Sequence, residues 1–382
     1  MGKNIVVFAD GTGQKGGEGN STNVYKTFNL ILDRSPEQFS FYDPGLGTGM
    51  RKVTGNIGGR GFSENIRQCY EFIFQNFEHG DRIYLFGFSR GAATVRSLTG
   101  FIHMFGILPR SRHDLIEQAW SIYKTQNMKK RERRAERFLS LNHTMWAKVH
   151  CLCVWDTVAA LGIPQSKLDK LINKVFPHEF HHFELSDSVR HAYHALAIDD
   201  ARKAFHPVYI DPRRENTAES EMKQVWFMGM HTDVGGGYAT SGLSDIAWEW
   251  MLLHAVKRGL KIHKASAAKR LCRPDVNGYM EDSRKGWWKR WVFKAAQRKW
   301  LDDYPDPVVH ESVGQRTQTI DNKPGAYEPW ILRIPGREAK VEPWLRLRPG
   351  VFDDVQLGGD ESERSAILQQ LDNLADWSRN PD

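Results

Sequence analysis

Residues 87–91 read Gly87-Phe88-Ser89-Arg90-Gly91, a serine between two glycines at the end of the apolar run Ile83-Tyr84-Leu85-Phe86. The G-x-S-x-G pattern on a strand-to-helix turn projects a serine hydroxyl from the edge of a sheet. Gly87 and Gly91 lack a Cβ, so the turn can close and the helix can pack against the strand. The helix that follows aims its first N–H groups at the same spot, which suits a developing oxyanion. The chemistry is nucleophilic attack by Ser89, and it needs a base and an acid that orients the base.

In doubly wound sheets those partners follow later strands, in the chain order serine, acid, histidine. The strand "KVHCLCVWD" (148–156) delivers Asp156, and "QVWFMGM" (224–230) delivers His231. All three residues fall at strand C-termini, where open α/β sheets bind ligands. Two alternatives stay open: His310, after the apolar run in "PVVHESV", as base, and Asp233, two residues past His231, as acid. The turn "HTDVGGGYA" holds Gly235 and Gly236, expected to serve unusual backbone geometry and a close approach.

"FADGTG" (8–13) ends the first strand and offers the N–H groups of Gly11 and Thr12 as a second oxyanion donor beside that of Arg90. It also resembles the D-x-D-G-T of aspartate-nucleophile phosphatases, but Phe8 stands where the nucleophile should be. "YDPGLGTG" (42–49) is glycine-rich without the phosphate-loop lysine pattern. No metal-ligand spacing and no cofactor fingerprint is evident.

The elements that must position these residues alternate. "NIVVFA" (4–9), "RIYLFGF" (82–88), "KVHCLCVWD" and "QVWFMGM" are continuous apolar runs, as strands covered on both faces require. Helical stripes lie between them: "SENIRQCYEFIFQNF" (63–77) with Ser63 as expected N-cap, the segment after Ser89, and "DLIEQAWSIYKTQN" (114–127). Strand and helix in alternation predict an α/β three-layer sandwich on a mostly parallel sheet. "KKRERRAERF" (129–138) reads as the solvated face of a helix, and "ESERSAILQQLDNLADW" (361–377) as a closing amphipathic helix. The alternation fades past residue 255, which divides the chain into a hydrolase core, 1–255, and an accessory basic and tryptophan-rich region, 256–382, packed on it.

With 382 residues, 40% hydrophobic, the chain can bury a large core, and its net charge of +7 permits anionic partners without demanding them. The four cysteines, Cys69, Cys151, Cys153 and Cys272, show no C-x-x-C pair and read as buried free thiols in a reducing compartment. The start of the chain is no signal peptide, and no apolar stretch reaches the ~20 residues that span a bilayer. The expected location is cytoplasmic, or exported without a cleavable signal.

"FADGTG", "YDPGLGTG", "GFSRGA", "VWDTVAALG", "ALAIDDARKAF" and "HTDVGGGY" occur in that order. Over roughly residues 4–315 the chain resembles the α/β-hydrolase catalytic domain of type VI secretion lipase effectors of the first family, and the related stand-alone domain of unknown function. That resemblance implies a serine esterase acting on phospholipid esters, with Ser89 as nucleophile.

"SRKGWWKRWVFKAAQRKW" (283–300) interleaves Trp287, Trp288, Trp291 and Trp300 with Lys285, Lys289, Arg290, Lys294, Arg298 and Lys299. Basic charge with tryptophan suits an interfacial helix on anionic headgroups, with Trp287, Trp288, Lys289, Arg290, Trp291 and Lys294 facing the membrane. The plainer alternative is a docked helix whose tryptophans are core. The leading expectation is a hydrolase of carboxylic esters of lipids or phospholipids. The alternative is a non-catalytic module that uses this basic face on an anionic membrane or nucleic acid, although no nucleic-acid partner is expected. Oligomeric state is not legible.

Overall fold

The computed structural model describes residues 2–11, 20–32, 35–45, 57–158, 188–211, 216–217, 219–263, 272–285, 291 and 293–346, with only the backbone at 57–60. Eight strands form one sheet in which every pair is parallel: β1 (Asn4–Ala9), β2 (Gln38–Asp43), β3 (Arg82–Phe88), β4 (Val149–Trp155), β5 (Val189–Ala197), β6 (Glu221–Phe227), β7 (Val308–His310) and β8 (Lys340–Glu342). Their order across the sheet is β2-β1-β3-β4-β5-β6-β7-β8. The chain leaves β1 toward one edge and returns to its other side at β3, so the crevice beyond the C-terminal ends of β1 and β3 is the topological switch point.

Side chains of a strand alternate between faces, and both faces are apolar. Val6, Phe8, Tyr84, Phe86, Cys151, Cys153 and Trp155 pack with α1 (Asn23–Leu30) and α7 (Gly242–Lys257). Ile5, Val7, Ile83, Leu85, Leu152 and Val154 pack with α2 (Ile57–Asn76), α3 (Arg90–Phe105), α4 (Asp114–Tyr123) and α5 (Met128–Leu141). The result is the three-layer α/β architecture that the alternation predicts.

Three local expectations are corrected. Ser63 lies inside α2, whose helix extends back to Ile57, because Phe62 is buried in the core and carries the helix through the glycines that precede it. The strand before His231 is Glu221–Phe227, three residues earlier than the apolar run suggests. Met228, Gly229 and Met230 instead make the bend to His231, with Gly229 at φ 107. The stretch 283–300 is not one continuous helix: residues 293–300 run without helix, and Ala295 makes an antiparallel bridge to Arg202. There Ala296, Gln297, Arg298, Lys299 and Trp300 alternate, so Arg298 and Trp300 turn inward and are buried while Gln297 and Lys299 face solvent.

Residue 255 is not a break in the sheet, since β7 and β8 come from beyond it and extend the same ladder from β6. Among the described residues no helix is long and apolar enough to cross a membrane. All four cysteines are buried and free. The expected closing helix at 361–377, with Thr12, Trp287, Trp288, Lys289 and Arg290, lies outside the described residues.

Candidate active site

Ser89 joins β3 to α3 at φ 59 and ψ −120, a backbone conformation that costs a β-carbon residue energy and persists only where its surroundings hold it. They do so tightly. The Ser89 N–H donates to the Trp155 carbonyl at 3.1 Å, tying the turn to the end of β4. A Cβ on Gly91 would lie 2.0 Å from the Ala9 carbonyl oxygen, and one on Gly87 would lie 2.7 Å from Ala92 Cα. Only glycine fits at either position.

His231 opens α6 (His231–Gly235), and its Nε2 stands 2.9 Å from Ser89 Oγ. Its Nδ1 stands 2.6 Å from Asp156 Oδ2. Asp156 follows β4 at φ 36, fully buried. The histidine ring lies 4.6 Å from the Phe88 ring and meets the Phe205 ring edge-on at 5.1 Å. Burial lowers the His231 pKa below the usual imidazole value, while Asp156 and Asp200 pull it back up. Ser89 itself is 8% exposed and His231 4%, so the two groups meet largely out of contact with water.

Asp156 Oδ1 accepts the Ala197 N–H at 3.0 Å, and both of its oxygens take the Arg298 guanidinium, at 2.6 and 2.7 Å. Burial alone would raise its carboxyl; the Arg298 charge and hydrogen bonds outweigh that and hold it well below the ordinary carboxylate range. Asp200 accepts the His231 N–H at 3.2 Å and is paired with Arg202, Nη2 to Oδ2, at 2.5 Å. Neither Arg298 nor Asp200 was singled out from the residue pattern. In the sequence Arg298 is one of the basic residues interleaved with tryptophan in 283–300, and only the alternation of 296–300 in an extended segment marks it as inward-facing.

The remaining sequence candidates fall as follows. Gly11 lies against Ser89: a Cβ there would sit 3.6 Å from Ser89 Cβ. Its N–H, however, donates to Asp10 Oδ1 at 2.7 Å. Asp10 also accepts the Thr22 and Tyr42 hydroxyls, at 2.6 and 2.7 Å, and burial pushes its carboxyl up to about 6 against those bonds. The Arg90 N–H is in the first turn of α3, where helix geometry leaves N–H groups without intrahelical acceptors. The Arg90 side chain is half-buried, and desolvation lowers its pKa to about 10.

Asp233 is not beside the imidazole nitrogens. Its Oδ2 accepts the Met230 and Glu281 N–H groups at 2.9 and 3.3 Å, capping α6 and fastening a later loop to it. His310 is on β7, stacked on Phe227 at 4.8 Å, with Nδ1 2.8 Å from Ser312 Oγ. Burial lowers its pKa to about 3, so it is a neutral core histidine away from Ser89. Gly235 and Gly236 serve packing: a Cβ on Gly235 would penetrate the Phe88 ring at 2.0 Å, and Gly236, at φ 80, bridges to Thr22. Trp291 is 73% exposed, and Lys294 is exposed.

Residues 3–254 match the family described as the catalytic domain of Tle1-like phospholipase effectors of the type VI secretion system. An uncharacterised Saccharomyces cerevisiae protein, YEL023C, is 29% identical over 224 residues, which cover 52% of this chain and 31% of the yeast protein. Among solved structures, an uncharacterised protein from Pseudomonas aeruginosa is 16% identical with a TM-score of 0.44, covering 70% of this chain and 47% of that one. The Tle1 effector bound to the VgrG spike of the type VI secretion system is 17% identical with a TM-score of 0.33, covering 63% of this chain and 52% of that one. The chain thus spans about a third of the yeast relative and about half of each of the two solved chains.

Proposed function

The chain belongs to the family of Tle1-like catalytic domains of type VI secretion phospholipase effectors, and from that premise we propose that it is a serine hydrolase that cleaves carboxylic ester bonds of phospholipids. The observation that carries the reading is the unbroken hydrogen-bonded series from Ser89 Oγ through the His231 ring to Asp156, with distances of 2.9 and 2.6 Å. A strained turn that lifts a serine to within reach of a buried, acid-oriented imidazole is the geometry of an activated nucleophile.

In this mechanism Ser89 Oγ attacks the ester carbonyl carbon and passes its proton to His231 Nε2. Asp156 holds the Nδ1–H and stabilises the imidazolium. The tetrahedral oxyanion is received by N–H groups of the first turn of α3, that of Arg90 foremost. The Gly11 N–H joins them only by leaving Asp10. Collapse expels the alcohol, which takes the proton from Nε2, and leaves an acyl-Ser89. A water, deprotonated by His231, then releases the fatty acid.

The phospholipid substrate is carried over from the family of phospholipase effectors to which the chain belongs. The exposed Trp291 and Lys294 support contact with an anionic surface. The test is labelling with a fluorophosphonate probe, together with fatty-acid release from phospholipid vesicles. Wild-type protein should do both and Ser89→Ala neither; hydrolysis retained by the alanine variant would sink the mechanism.

A further inference from the structure

Arg298 makes five hydrogen bonds from one guanidinium. Its Nη1 donates to Asp156 Oδ1 and to the Ala197 carbonyl, both at 2.6 Å. Its Nη2 donates to Asp156 Oδ2 at 2.7 Å and to the Phe205 carbonyl at 2.8 Å. Its Nε donates to the Asp200 carbonyl at 3.2 Å. Those are as many bonds as arginine has N–H donors, and the side chain is fully buried. It comes from an extended segment outside residues 3–254, the part of the chain that matches the family.

We propose that Arg298 is a positioning residue of the active site, whose guanidinium fork fixes the Asp156 carboxylate against His231 and offsets its charge. The proposal rests on the Ser89–His231–Asp156 reading given above. The fork fits both carboxylate oxygens at once, which sets the plane of the carboxylate as well as its place, and a lysine could not do this. The three carbonyls that Arg298 grips belong to the last residue of β5, Ala197, and to the segment after it, Asp200 and Phe205. That segment also supplies Phe205 to the edge of the His231 ring and Asp200 to its backbone N–H. One side chain therefore holds the acid and two walls of the base together.

The charges around His231 balance. Asp156 faces it from the end of β4, and Asp200 and Arg202 from the segment after β5, with Arg298 behind Asp156. Asp233, on the histidine's own helix, is turned to the Met230 and Glu281 N–H groups. Removing the Arg298 charge leaves one negative charge in excess beside the imidazole. That favours its protonated form, so the base is lost at higher pH than in the intact site.

The experiment measures kcat, KM and the pH profile of kcat/KM on a soluble ester for Arg298→Gln and Arg298→Lys, each also in an Asp156→Asn background. The glutamine variant should lose about 10- to 100-fold in kcat with KM nearly unchanged, as small misplacements of catalytic groups do. Its acid limb should move to higher pH. The lysine variant should bring the limb back toward wild type while keeping part of the kcat deficit. In the Asp156→Asn background the glutamine change should cost no further kcat, because Arg298 acts through Asp156.

A glutamine variant with wild-type kcat and acid limb would overturn the proposal, as would an equal loss in both backgrounds. If the glutamine variant is recovered only as aggregate, the lysine variant decides, and wild-type kcat in it overturns the role of the fork. Failure of the wild type to react with a fluorophosphonate would instead strike the serine mechanism itself. A reactive wild type with unperturbed Arg298 variants strikes only the role of Arg298.

Discussion

Ser89 and Asp156 both occupy positive φ, at 59 and 36, and both face His231. Strain of this kind persists where the fold over-determines it, and at Ser89 Gly87, Gly91 and the Trp155 carbonyl are what hold it. Ser89→Ala keeps the backbone and removes only the oxygen. Its kcat should fall by about 10³- to 10⁶-fold, while the melting temperature stays near that of the wild type. His231→Ala should cost as much, and the double variant little more, since such residues act as a unit. His310→Ala should leave turnover largely intact and lower stability, because its ring fills the core against Phe227 and Trp344; an inactive, well-folded His310 variant would reverse that assignment. The pH dependence follows from the same burial. His231 must be neutral to accept the serine proton, so activity is lost as pH falls through its pKa, and burial places that pKa below the ordinary 6.5. The acid limb of kcat/KM should therefore have its midpoint under 6.5; a midpoint above it would show the Asp156 and Asp200 charges prevailing over desolvation. At this scale Ser89, Asp156 and His231 were readable as candidates, because each ends a recognisable apolar run, and the structure brings the three within hydrogen-bond reach. Arg298 was not readable, because an inward-facing arginine in an irregular segment looks the same in sequence as the basic surface residues around it.

The elements that position these residues divide by how their burial is written. β1 and β3 have the bounds their apolar runs predict, since every residue in them meets a helix layer or a neighbouring strand. β5 (Val189–Ala197) was not picked out, although its last seven residues are all buried. His191, Tyr193 and His194 interrupt its apolar pattern; Tyr193 bonds with Glu221 and Arg258, and His194 with Gln224, all far away in sequence. β2 alternates and is only half-buried, as an edge strand beside a single neighbour should be. The glycines at element junctions were readable as turns, but the groups that crowd them were not. Gly91→Ala would press a methyl into the Ala9 carbonyl, and Gly235→Ala would press one into the Phe88 ring under His231. Overpacking of this sort costs about 1–3 kcal/mol. Both variants should melt earlier by calorimetry, and Gly235→Ala should also lose activity, because Phe88 flanks the base. A Gly91→Ala protein as stable as the wild type would mean that α3 slides freely on β1.

At the scale of the whole molecule, the sheet does not stop where the sequence alternation fades. β7 and β8 continue it, Trp344 donates to the buried Glu249 of α7 at 2.9 Å, and Arg298 reaches Asp156 at the end of β4. A chain ended at residue 255 should accordingly fail to react with a fluorophosphonate even where it stays in solution; labelling at the full-length rate would refute this. The basic stretch 283–300 contributes in two directions, with Arg298 and Trp300 inward and Trp291 and Lys294 outward. Each basic residue close to an anionic bilayer contributes about 1 kcal/mol, within a Debye length. Adsorption to vesicles should rise with anionic lipid and weaken with salt. Lys289→Gln, Arg290→Gln and Lys294→Gln together should reduce it while sparing hydrolysis of a soluble ester; equal flotation with neutral and anionic vesicles would remove the membrane from the account. The distance in sequence between Arg298 and Asp156 also has a consequence in time. Ribosomes add about 5–20 residues per second, so a nascent chain carries its serine, acid and histidine for several seconds before the arginine that joins them has been made. Reactivity of Ser89 should therefore appear only after residue 298 has left the ribosome. Ribosome-stalled chains with residues up to 255 exposed should be unreactive toward the probe, and those with residues past 310 exposed should be reactive.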